Sequence, residues 1–384
     1  MKIDILIKGG KTVDKSIIDI AILDDKIIEV KNQIDDSKYQ ANQIINLDGE
    51  KFISAGWIDI HTHCYERLDL YKDYPDEVGI KSGVTTVVDA GTTGALDIGK
   101  FYEDTKKYKT NVYALINIAK QGITSQDELS SMMNIDEYEL KRAVKKYKDF
   151  VVGIKARMSK SVVISNDVEP LKVAKRIKNE LNLPMMVHFG SSPPTIEDIF
   201  DYMEKGDILT HIYNGKPNGI LRGNEVKKEI IEARERGIIL DVGHGTESFS
   251  MDIAMKSKDA GIFPDTISTD IYIKNRINGP VYNLSTTMEK FIYMGYSLED
   301  IIDKVTKNAA DAISLKNKGL IKEGYDADLT IFDVVNEEKE LQDSLNKSVI
   351  TSTSIKPRAV VVNGEYLNIG KSIGENEKKG ETIV

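Results

Sequence analysis

One pattern dominates the middle of the chain: short apolar runs alternate with longer charged stretches whose apolar residues have helical spacing. Such alternation predicts a parallel α/β sheet, because each strand must return to the same edge through a crossover helix. The apolar runs are Trp57–His63, Thr85–Ala90, Val112–Ile118, Phe150–Ala156, Pro184–His188, Ile208–His211, Ile238–Val242 and Thr266–Asp270. Eight strand–helix units over about 260 residues match the size of a TIM-like (β/α)8 barrel.

The stretches between the runs predict the helices of this barrel. Several end in a glycine just before the next strand, as a left-handed helix cap favours. These glycines are Gly83, Gly206, Gly237 and Gly261. The predicted helices include Asp136–Lys148, Glu169–Asn179, Ile196–Lys205 and Asn224–Arg236, and a last helix covers Leu298–Leu315.

Both ends of the chain have a different pattern, that of short strands separated by Asp and Gly turns. The predicted strands are Ile3–Lys8, Ile17–Leu23, Ile27–Val30 and Gln43–Leu47 at one end, and Leu329–Asp333 and Ala359–Val362 at the other. We therefore expect residues 1–54 and 315–384 to form one small β-sandwich domain beside a barrel of residues 55–314. The charged segment Gly374–Glu381 is predicted to be a loose tail.

Composition narrows the class of protein. The chain has 384 residues and a net charge of −9, which argues against a phosphate backbone as its main ligand. No apolar run approaches the roughly 18 residues of a membrane-spanning helix, and the first residues lack the order of a signal peptide. The single cysteine, Cys64, excludes an internal disulfide and suits a reducing compartment. We expect a soluble cytoplasmic protein with a small-molecule substrate; assembly into a homo-oligomer is left open.

The five histidines stand out by their positions. Each lies at or just past the carboxyl end of a predicted strand, which is the catalytic face of a (β/α)8 barrel. They are His61, His63, His188, His211 and His244. Residues two apart on a strand point the same way, so His61 and His63 can grip one metal ion. By the same alternation the neighbouring Cys64 faces away and is read as structural.

Lys155 and Arg157 share one predicted strand and point to the same side. A lysine in an apolar barrel strand is costly unless it is neutralised or paired. In one interpretation Lys155 lies at an interface, and its head group reaches water. In the other, burial removes the charge of the amine, which then reacts with CO2. The resulting carbamate would bridge two metal ions. Arg157 is either an anion-binding group or the partner of a barrel acid.

Two further strand ends carry candidate residues. Asp270 is either a helix N-cap or, beside the histidines, a metal ligand that also moves protons. His244 is either a hydrogen-bonded structural residue or an uncommitted imidazole that binds a substrate carbonyl or carboxylate.

The order His-x-His, Lys, His, His, Asp on strands 1, 4, 5, 6 and 8 resembles the binuclear metal site of the amidohydrolase superfamily. The resemblance is to its dihydroorotase/hydantoinase-like branch, and within that branch to dihydroorotase-like metal-dependent deacetylases. It extends from Ile53-Ser54-Ala55-Gly56-Trp57-Ile58-Asp59-Ile60-His61 to Gly324-Tyr325-Asp326-Ala327-Asp328-Leu329. The segment Asp241-Val242-Gly243-His244-Gly245 is similar to the deacetylase-like subgroup.

The resemblance implies roles for these residues. His61, His63 and Asp270 would hold one divalent metal ion, and His188 and His211 a second. Carboxylated Lys155 and a hydroxide would bridge the two ions. Zinc is the default metal for such ligands, and Mn, Co or Fe can replace it. Asp270 would accept the proton of the attacking hydroxide and pass it to the leaving group.

One position departs from the pattern of dihydroorotases, which carry a carboxylate-binding arginine two residues after the His-x-His motif. Here that residue is Tyr65, and the nearest arginine is Arg67. Substrate recognition is therefore assigned to Arg157 and His244. Loop residues beyond the strand ends are further candidates: Asn214, Lys216, Tyr272, Asn275 and Arg276.

The leading hypothesis is a binuclear-metal hydrolase of a small amide or ester that deacylates an N-acyl (acetyl) amino acid or a related acylated acid. The first alternative is a cyclic-amide hydrolase of the dihydroorotase or hydantoinase type. A catalytically silent scaffold would need lost ligands, yet all six are present. Nucleobase deaminases generally use one metal and lack the bridging lysine.

Overall fold

The computed structural model describes residues 1–35 and 37–369. The predicted tail Gly374–Glu381 lies outside the described residues. In the described part of the chain no helix is both long and apolar enough to cross a membrane.

The strands follow the chain from one end to the other. They are β1 (Lys2–Lys11), β2 (Ile17–Leu23), β3 (Lys26–Lys31), β4 (Gln40–Asn46), β5 (Phe52–Ala55), β6 (Trp57–Thr62), β7 (Val84–Ala90), β8 (Asn111–Asn117), β9 (Val151–Met158), β10 (Met185–Phe189), β11 (Ile208–Thr210), β12 (Leu221–Arg222), β13 (Glu225–Val226), β14 (Ile239–Asp241), β15 (Leu329–Gln342), β16 (Ser348–Val362) and β17 (Glu365–Asn368).

The helices lie almost entirely between the barrel strands. They are α1 (Pro75–Val78), α2 (Ile98–Thr105), α3 (Glu137–Lys146), α4 (Lys160–Val163), α5 (Glu169–Leu181), α6 (Ile196–Phe200), α7 (Lys228–Glu235), α8 (Met251–Asp259), α9 (Ile273–Asn278), α10 (Leu284–Tyr293), α11 (Leu298–Val305) and α12 (Lys307–Ala312). The single helix predicted over Leu298–Leu315 is two helices, because the backbone of Thr306 leaves the helical region at φ −128° and ψ −94°.

The barrel is a curled parallel sheet in which chain order equals spatial order, from β6 through β7, β8, β9, β10 and β11 to β14. Its strands are buried over most of their length, since helices cover one face and side chains from the opposite strands fill the other. All adjacent pairs are parallel. The predicted α/β barrel class is confirmed.

The eighth strand, predicted over Thr266–Asp270, is not a regular strand. Residues 266–271 instead form an extended segment with isolated parallel bridges to Asp241 on one side and to Thr62 on the other. The ladder is interrupted because Asp270 has a left-handed backbone, with φ +51°. The segment nevertheless closes the barrel between β14 and β6.

The chain ends meet in one further sheet, in the order β17, β16, β15, β5, β1, β2, β3, with β4 paired to β1. The first segment joins the last through the antiparallel pair β5–β15, where Ile53 faces Ile331. This sheet is the small β-sandwich domain predicted from both ends, and Trp57 and Phe332 pack between it and the barrel with ring centroids 5.3 Å apart. The boundaries at 54/55 and 314/315 stay predictions.

The hairpin β15–β16 is much longer than the predicted Leu329–Asp333 and Ala359–Val362 strands. Its register pairs Leu329 with Val361 at the base and Gln342 with Ser348 at the tip. The outer half of the hairpin extends along α10, so the small domain reaches the barrel mouth.

Candidate functional site

The six predicted metal ligands and Arg157 converge on one small cavity at the carboxyl ends of the barrel strands. The cavity has a volume of about 40 Å³, and its walls are His61, His63, Tyr71, Ile123, Lys155, Arg157, His188, His211 and Asp270. His61 lies on β6, Lys155 on β9 and His188 on β10, and His63 and His211 directly follow β6 and β11. Asp270 lies in the extended segment that closes the barrel. Ligand atoms of His61, His211 and Asp270 all lie within 4.8 Å of one another.

His61 and His63 direct their Nε2 atoms at the same carboxylate oxygen. The distances to Asp270 Oδ1 are 3.4 Å from His61 and 3.0 Å from His63. Behind His61, its Nδ1 lies 2.9 Å from Thr210 Oγ1, and that hydroxyl donates to Asp241 at 2.7 Å. The Thr210 oxygen therefore accepts from His61 Nδ1, which leaves the Nε2 lone pair facing the cavity.

The other cavity histidines are held in the same manner, with one ring nitrogen bound by the protein. His63 Nδ1 lies 2.7 Å from Thr92 Oγ1. His211 Nδ1 donates to Gly243 O at 2.6 Å, and His188 Nε2 lies 3.0 Å from Ser159 Oγ. Such a contact fixes ring orientation and tautomer, as metal-binding histidines require.

Burial favours the neutral imidazole at three of these histidines, His61, His188 and His211. Desolvation lowers the pKa of His61 and of His188 well below the ordinary value, and the charge of Lys155 adds to the effect at His61. Desolvation also lowers the pKa of His211 to about 4. Neutral imidazole is the form that binds metal, so the residues need no deprotonation at neutral pH.

Lys155 is fully buried, and its amine has poor partners for a positive charge. Its Nζ lies 3.1 Å from His61 Nε2 and 3.1 Å from Met186 Sδ. Desolvation lowers the pKa of Lys155 to about 7. The backbone of Gly91 passes so close that an added Cβ would lie 2.6 Å from Lys155 Cβ, so the side chain is confined to the cavity.

Asp270 stays ionised although it is half-buried. Desolvation on its own would raise its pKa, but the hydrogen bond from His63 outweighs it and holds the pKa below the ordinary value. An anionic carboxylate that faces the cavity is a competent proton acceptor.

Arg157 lines the cavity and is also paired. Its Nη1 lies 3.0 and 3.1 Å from the two carboxylate oxygens of Glu128, and its Nη2 donates to Gln126 Oε1 at 2.9 Å. The guanidinium lies 6.0 Å from the ring centroid of Tyr71. Arg157 is therefore the partner of an acid and also faces the cavity. Its role as an anion-binding group stays a prediction.

Sequence reasoning missed Glu128, Gln126 and Tyr71. All three lie in loops without periodicity, so no pattern marked them. Tyr71 packs against His63 and Tyr272, with ring centroids 5.3 and 5.0 Å apart, and its hydroxyl accepts from Gln126.

The remaining predicted substrate-binding residues lie outside the cavity wall. His244 is fully buried, with both ring nitrogens engaged by Gly245 O and Lys290 Nζ. Asn214 is buried and donates to His211 O. Tyr272 packs against Tyr71, which lines the cavity. These three residues stay predictions as substrate contacts.

Three further residues that the sequence analysis considered, Tyr65, Cys64 and Arg276, pack in the core or form ion pairs. Tyr65 is buried against Phe101, with ring centroids 5.0 Å apart, so the position that holds an arginine in dihydroorotases faces the core here. Cys64 is a buried free thiol in the barrel core, where the sequence places it. Arg276 forms a two-pronged ion pair with the buried Asp73 and ties α9 to the loop after β6.

The fold and the cavity together define a barrel enzyme whose strand ends carry a metal-binding set of residues. The model of the amidohydrolase family matches residues 52–367, and the chain belongs to this family. It is a hydrolase that acts on C–N bonds, and enzymes of the family are typically metal-dependent. The resemblance predicted from the sequence is confirmed.

Three similar proteins illustrate the spread of activities. A protein of Enterococcus faecalis named deacetylase is 47% identical over 95% of this chain and 99% of its own length. A crystal structure described as an adenine deaminase has a TM-score of 0.93 and 46% identity, and covers 95% of this chain and 100% of its own. A structure described as a dihydroorotase has a TM-score of 0.85 and 30% identity, with 95% and 97% covered.

We predict that Thr210→Val weakens metal binding about 10- to 100-fold, because His61 loses the acceptor that fixes its tautomer. Competition with a chelator measures the affinity. The matched control is Thr266→Val, since Thr266 donates to the same Asp241 at 2.7 Å and contacts no histidine among its hydrogen-bond partners. Equal effects of the two substitutions would contradict the prediction.

Proposed function

We propose that this chain is a binuclear-metal hydrolase that deacylates a small N-acyl amino acid, N-acetyl in particular, or a related acylated acid. The observation that carries the proposal is the convergence of four imidazoles, a buried lysine whose pKa is lowered to about 7, and an ionised Asp270 on one cavity. The relative named deacetylase, with its full-length match, supports the same reaction class.

The donor set fits a pair of divalent cations. His61, His63 and Asp270 would hold one ion, His188 and His211 the other, and carboxylated Lys155 would bridge them. Zinc suits imidazole and carboxylate ligands best. When bound, such ions would polarise a carbonyl as Lewis acids and lower the pKa of water toward neutrality, so that hydroxide would be available as a nucleophile.

Lys155 has the surroundings that carboxylation needs. The neutral amine adds to CO2 with loss of one proton, and the product is a carbamate whose single negative charge is shared by two oxygens. As an unmodified ammonium, Lys155 would face an imidazole and a thioether at 3.1 Å. The modification therefore replaces a poorly solvated cation with an anion that matches two cations.

Asp270 moves the proton in this proposal. Its carboxylate accepts a proton as the nucleophile attacks the acyl carbon, and then delivers that proton to the leaving nitrogen. The left-handed backbone of Asp270 turns its side chain back toward His61 and His63 at the cavity floor.

Arg157 is the group proposed to bind the carboxylate of the leaving amino acid. Glu128 and Gln126 occupy one edge of its guanidinium and hold the fork in place. Arg fixed in this manner recognises a carboxylate by two parallel N–H bonds. With Tyr65 in the core, Arg157 takes the task that another arginine has in dihydroorotases, which disfavours a dihydroorotase.

The alternative remains a cyclic-amide hydrolase of dihydroorotate- or hydantoin-like rings, supported by the 30% identical structure described as a dihydroorotase. A cytoplasmic location also stays a proposal, supported by the buried free thiol of Cys64.

We expect Lys155→Ala to bind fewer than two metal ions per chain and to lose activity, since the bridge between the cations is gone. Short carboxylates such as formate or acetate should restore part of the activity. Elemental analysis and turnover with and without carboxylate check this. Two tightly bound ions with full activity in the variant would contradict carboxylated Lys155.

Asp270→Asn is expected to keep much of the metal and to lower kcat by about 10²-fold or more, the usual share of general acid–base catalysis. The measurements are kcat and metal content. Asp311→Asn, on an exposed aspartate of α12, is the matched control. A variant that binds the metals and keeps near wild-type turnover would contradict the proton-transfer role of Asp270.

Substrate class is tested with metal-replete enzyme on N-acetyl D- and L-amino acids, their carboxamides, dihydroorotate, hydantoins and adenine. We expect the N-acetyl amino acids to be hydrolysed best. In the double variant Arg157→Met/Glu128→Gln, which leaves no buried charge unpaired, kcat/KM should fall at least about tenfold for the carboxylates and little for the carboxamides. Best activity on a cyclic amide or on adenine would overturn the proposed substrate.

A further inference from the structure

A second buried polar cluster lies behind the cavity wall, at the exit of β14. Lys290 on α10 is fully buried, and its Nζ lies 2.7 Å from His244 Nε2 and 2.9 Å from Pro280 O. The ring of His244 stacks on Phe249, with centroids 4.4 Å apart. The proposed chemistry uses neither Lys290 nor His244, yet both bury polar atoms at considerable cost.

The donor and the acceptor of each hydrogen bond in this cluster can be assigned, because a carbonyl oxygen can only accept. His244 Nδ1 lies 2.9 Å from Gly245 O, and a carbonyl oxygen only accepts, so Nδ1 carries the proton. Burial lowers the pKa of His244 well below its ordinary value, so the ring is neutral and Nε2 accepts from Lys290. Ser344 Oγ donates to the same Gly245 carbonyl at 2.9 Å.

Gly245 is the residue through which this cluster reaches the site. Its amide donates to Thr269 O at 2.9 Å, beside Asp270. Its backbone has φ +57°, and an added Cβ would lie 2.5 Å from Asp270 Oδ2. The Gly245 backbone is therefore a wall against which the Asp270 carboxylate rests.

The cluster is anchored by two different parts of the molecule. On α10, Glu289 precedes Lys290 and binds the hairpin β15–β16, with Oε1 2.8 Å from Ile355 N and Oε2 2.6 Å from Lys339 Nζ. Ser344 lies at the tip of the same hairpin. Helix α10 thus connects the hairpin of the small domain to the wall behind Asp270.

We infer that Lys290 and His244, together with Ser344, are positioning residues for Asp270, which they serve by holding the Gly245 peptide against its carboxylate. This inference rests on the proposed role of Asp270. It assigns His244 a different task from substrate contact, and it makes the small domain part of the catalytic apparatus.

The first test needs no activity. Histidine side-chain ¹⁵N spectra of the metal-free protein, which has only five histidines, should show His244 as a neutral Nδ1–H tautomer through the range where exposed histidines titrate. Lys290→Met should shift the Nε2 signal of His244, because its donor is lost. An Nε2–H tautomer, or ordinary titration of His244, would overturn the inference whether or not the enzyme deacylates anything.

The second test is kinetic and uses whichever of the substrates named above the enzyme hydrolyses best. Lys290→Met and His244→Phe should each lower kcat about tenfold or more, with KM and metal content unchanged and the same factor for every substrate. His244→Asn should recover part of kcat, since its amide can still donate to Gly245 O. The Co²⁺-loaded variants should also have altered absorption spectra, because Asp270 is displaced.

Lys258→Met is the matched control. Lys258 donates to Met294 O at 2.7 Å, as Lys290 donates to a carbonyl, and it has no bond to His244. If Lys290→Met does not fold, the Phe and Asn variants of His244 decide the question. A rise in KM for some substrates with kcat unchanged would mean that His244 contacts substrate, and wild-type kinetics in both His244 variants would refute positioning.

Discussion

Two fully buried carboxylates hold the segment that closes the barrel. Asp241, at the end of β14, accepts from the hydroxyls of Thr266 and Ser268 at 2.7 Å. Asp59, on β6, accepts from the amide of Thr269 at 3.1 Å and from its hydroxyl. Without these hydroxyls the buried carboxylates would lose the hydrogen bonds that make their burial tolerable. The closure in turn brings Asp270 opposite the histidines of β6.

Much of the site could be predicted because it depends on two regularities. Parallel strands bring their carboxyl ends to one face, and alternation along β6 directs His61 and His63 the same way. The orientation of His244 could not be predicted in this way. Gly243 and Gly245 on either side of it have left-handed backbones, with φ +47° and +57°, so alternation does not extend past β14. Its ring consequently turns to Phe249 and Lys290, away from the cavity.

Other features could not be predicted, for different physical reasons. Glu128 lies in a loop, where orientation depends on the tertiary partner Arg157 rather than on any period. The outer half of the hairpin β15–β16 is rich in charged residues such as Glu337 and Glu340, so it lacks an apolar signal. It is stabilised by contact with α10 instead, including the pair Lys339–Glu289. Tertiary packing here outweighs local propensity.

The same burial acts in opposite directions on neighbouring groups of the cavity. Removal of water lowers the pKa of His211 to about 4 and that of Lys155 to about 7, so both are biased toward neutrality. Asp270 experiences the same desolvation, but the hydrogen bond from His63 reverses its effect on the pKa. When the environment shifts the pKa values of neighbouring groups in opposite directions, one group can act as an acid and the other as a base.

Because Asp270 depends on its neighbours for its charge, a small displacement of its carboxylate changes both its position and its basicity. The Gly245 backbone behind Asp270 restricts that displacement. The buried Lys290–His244 pair holds this backbone in place, and so it acts on both the position and the basicity of the carboxylate.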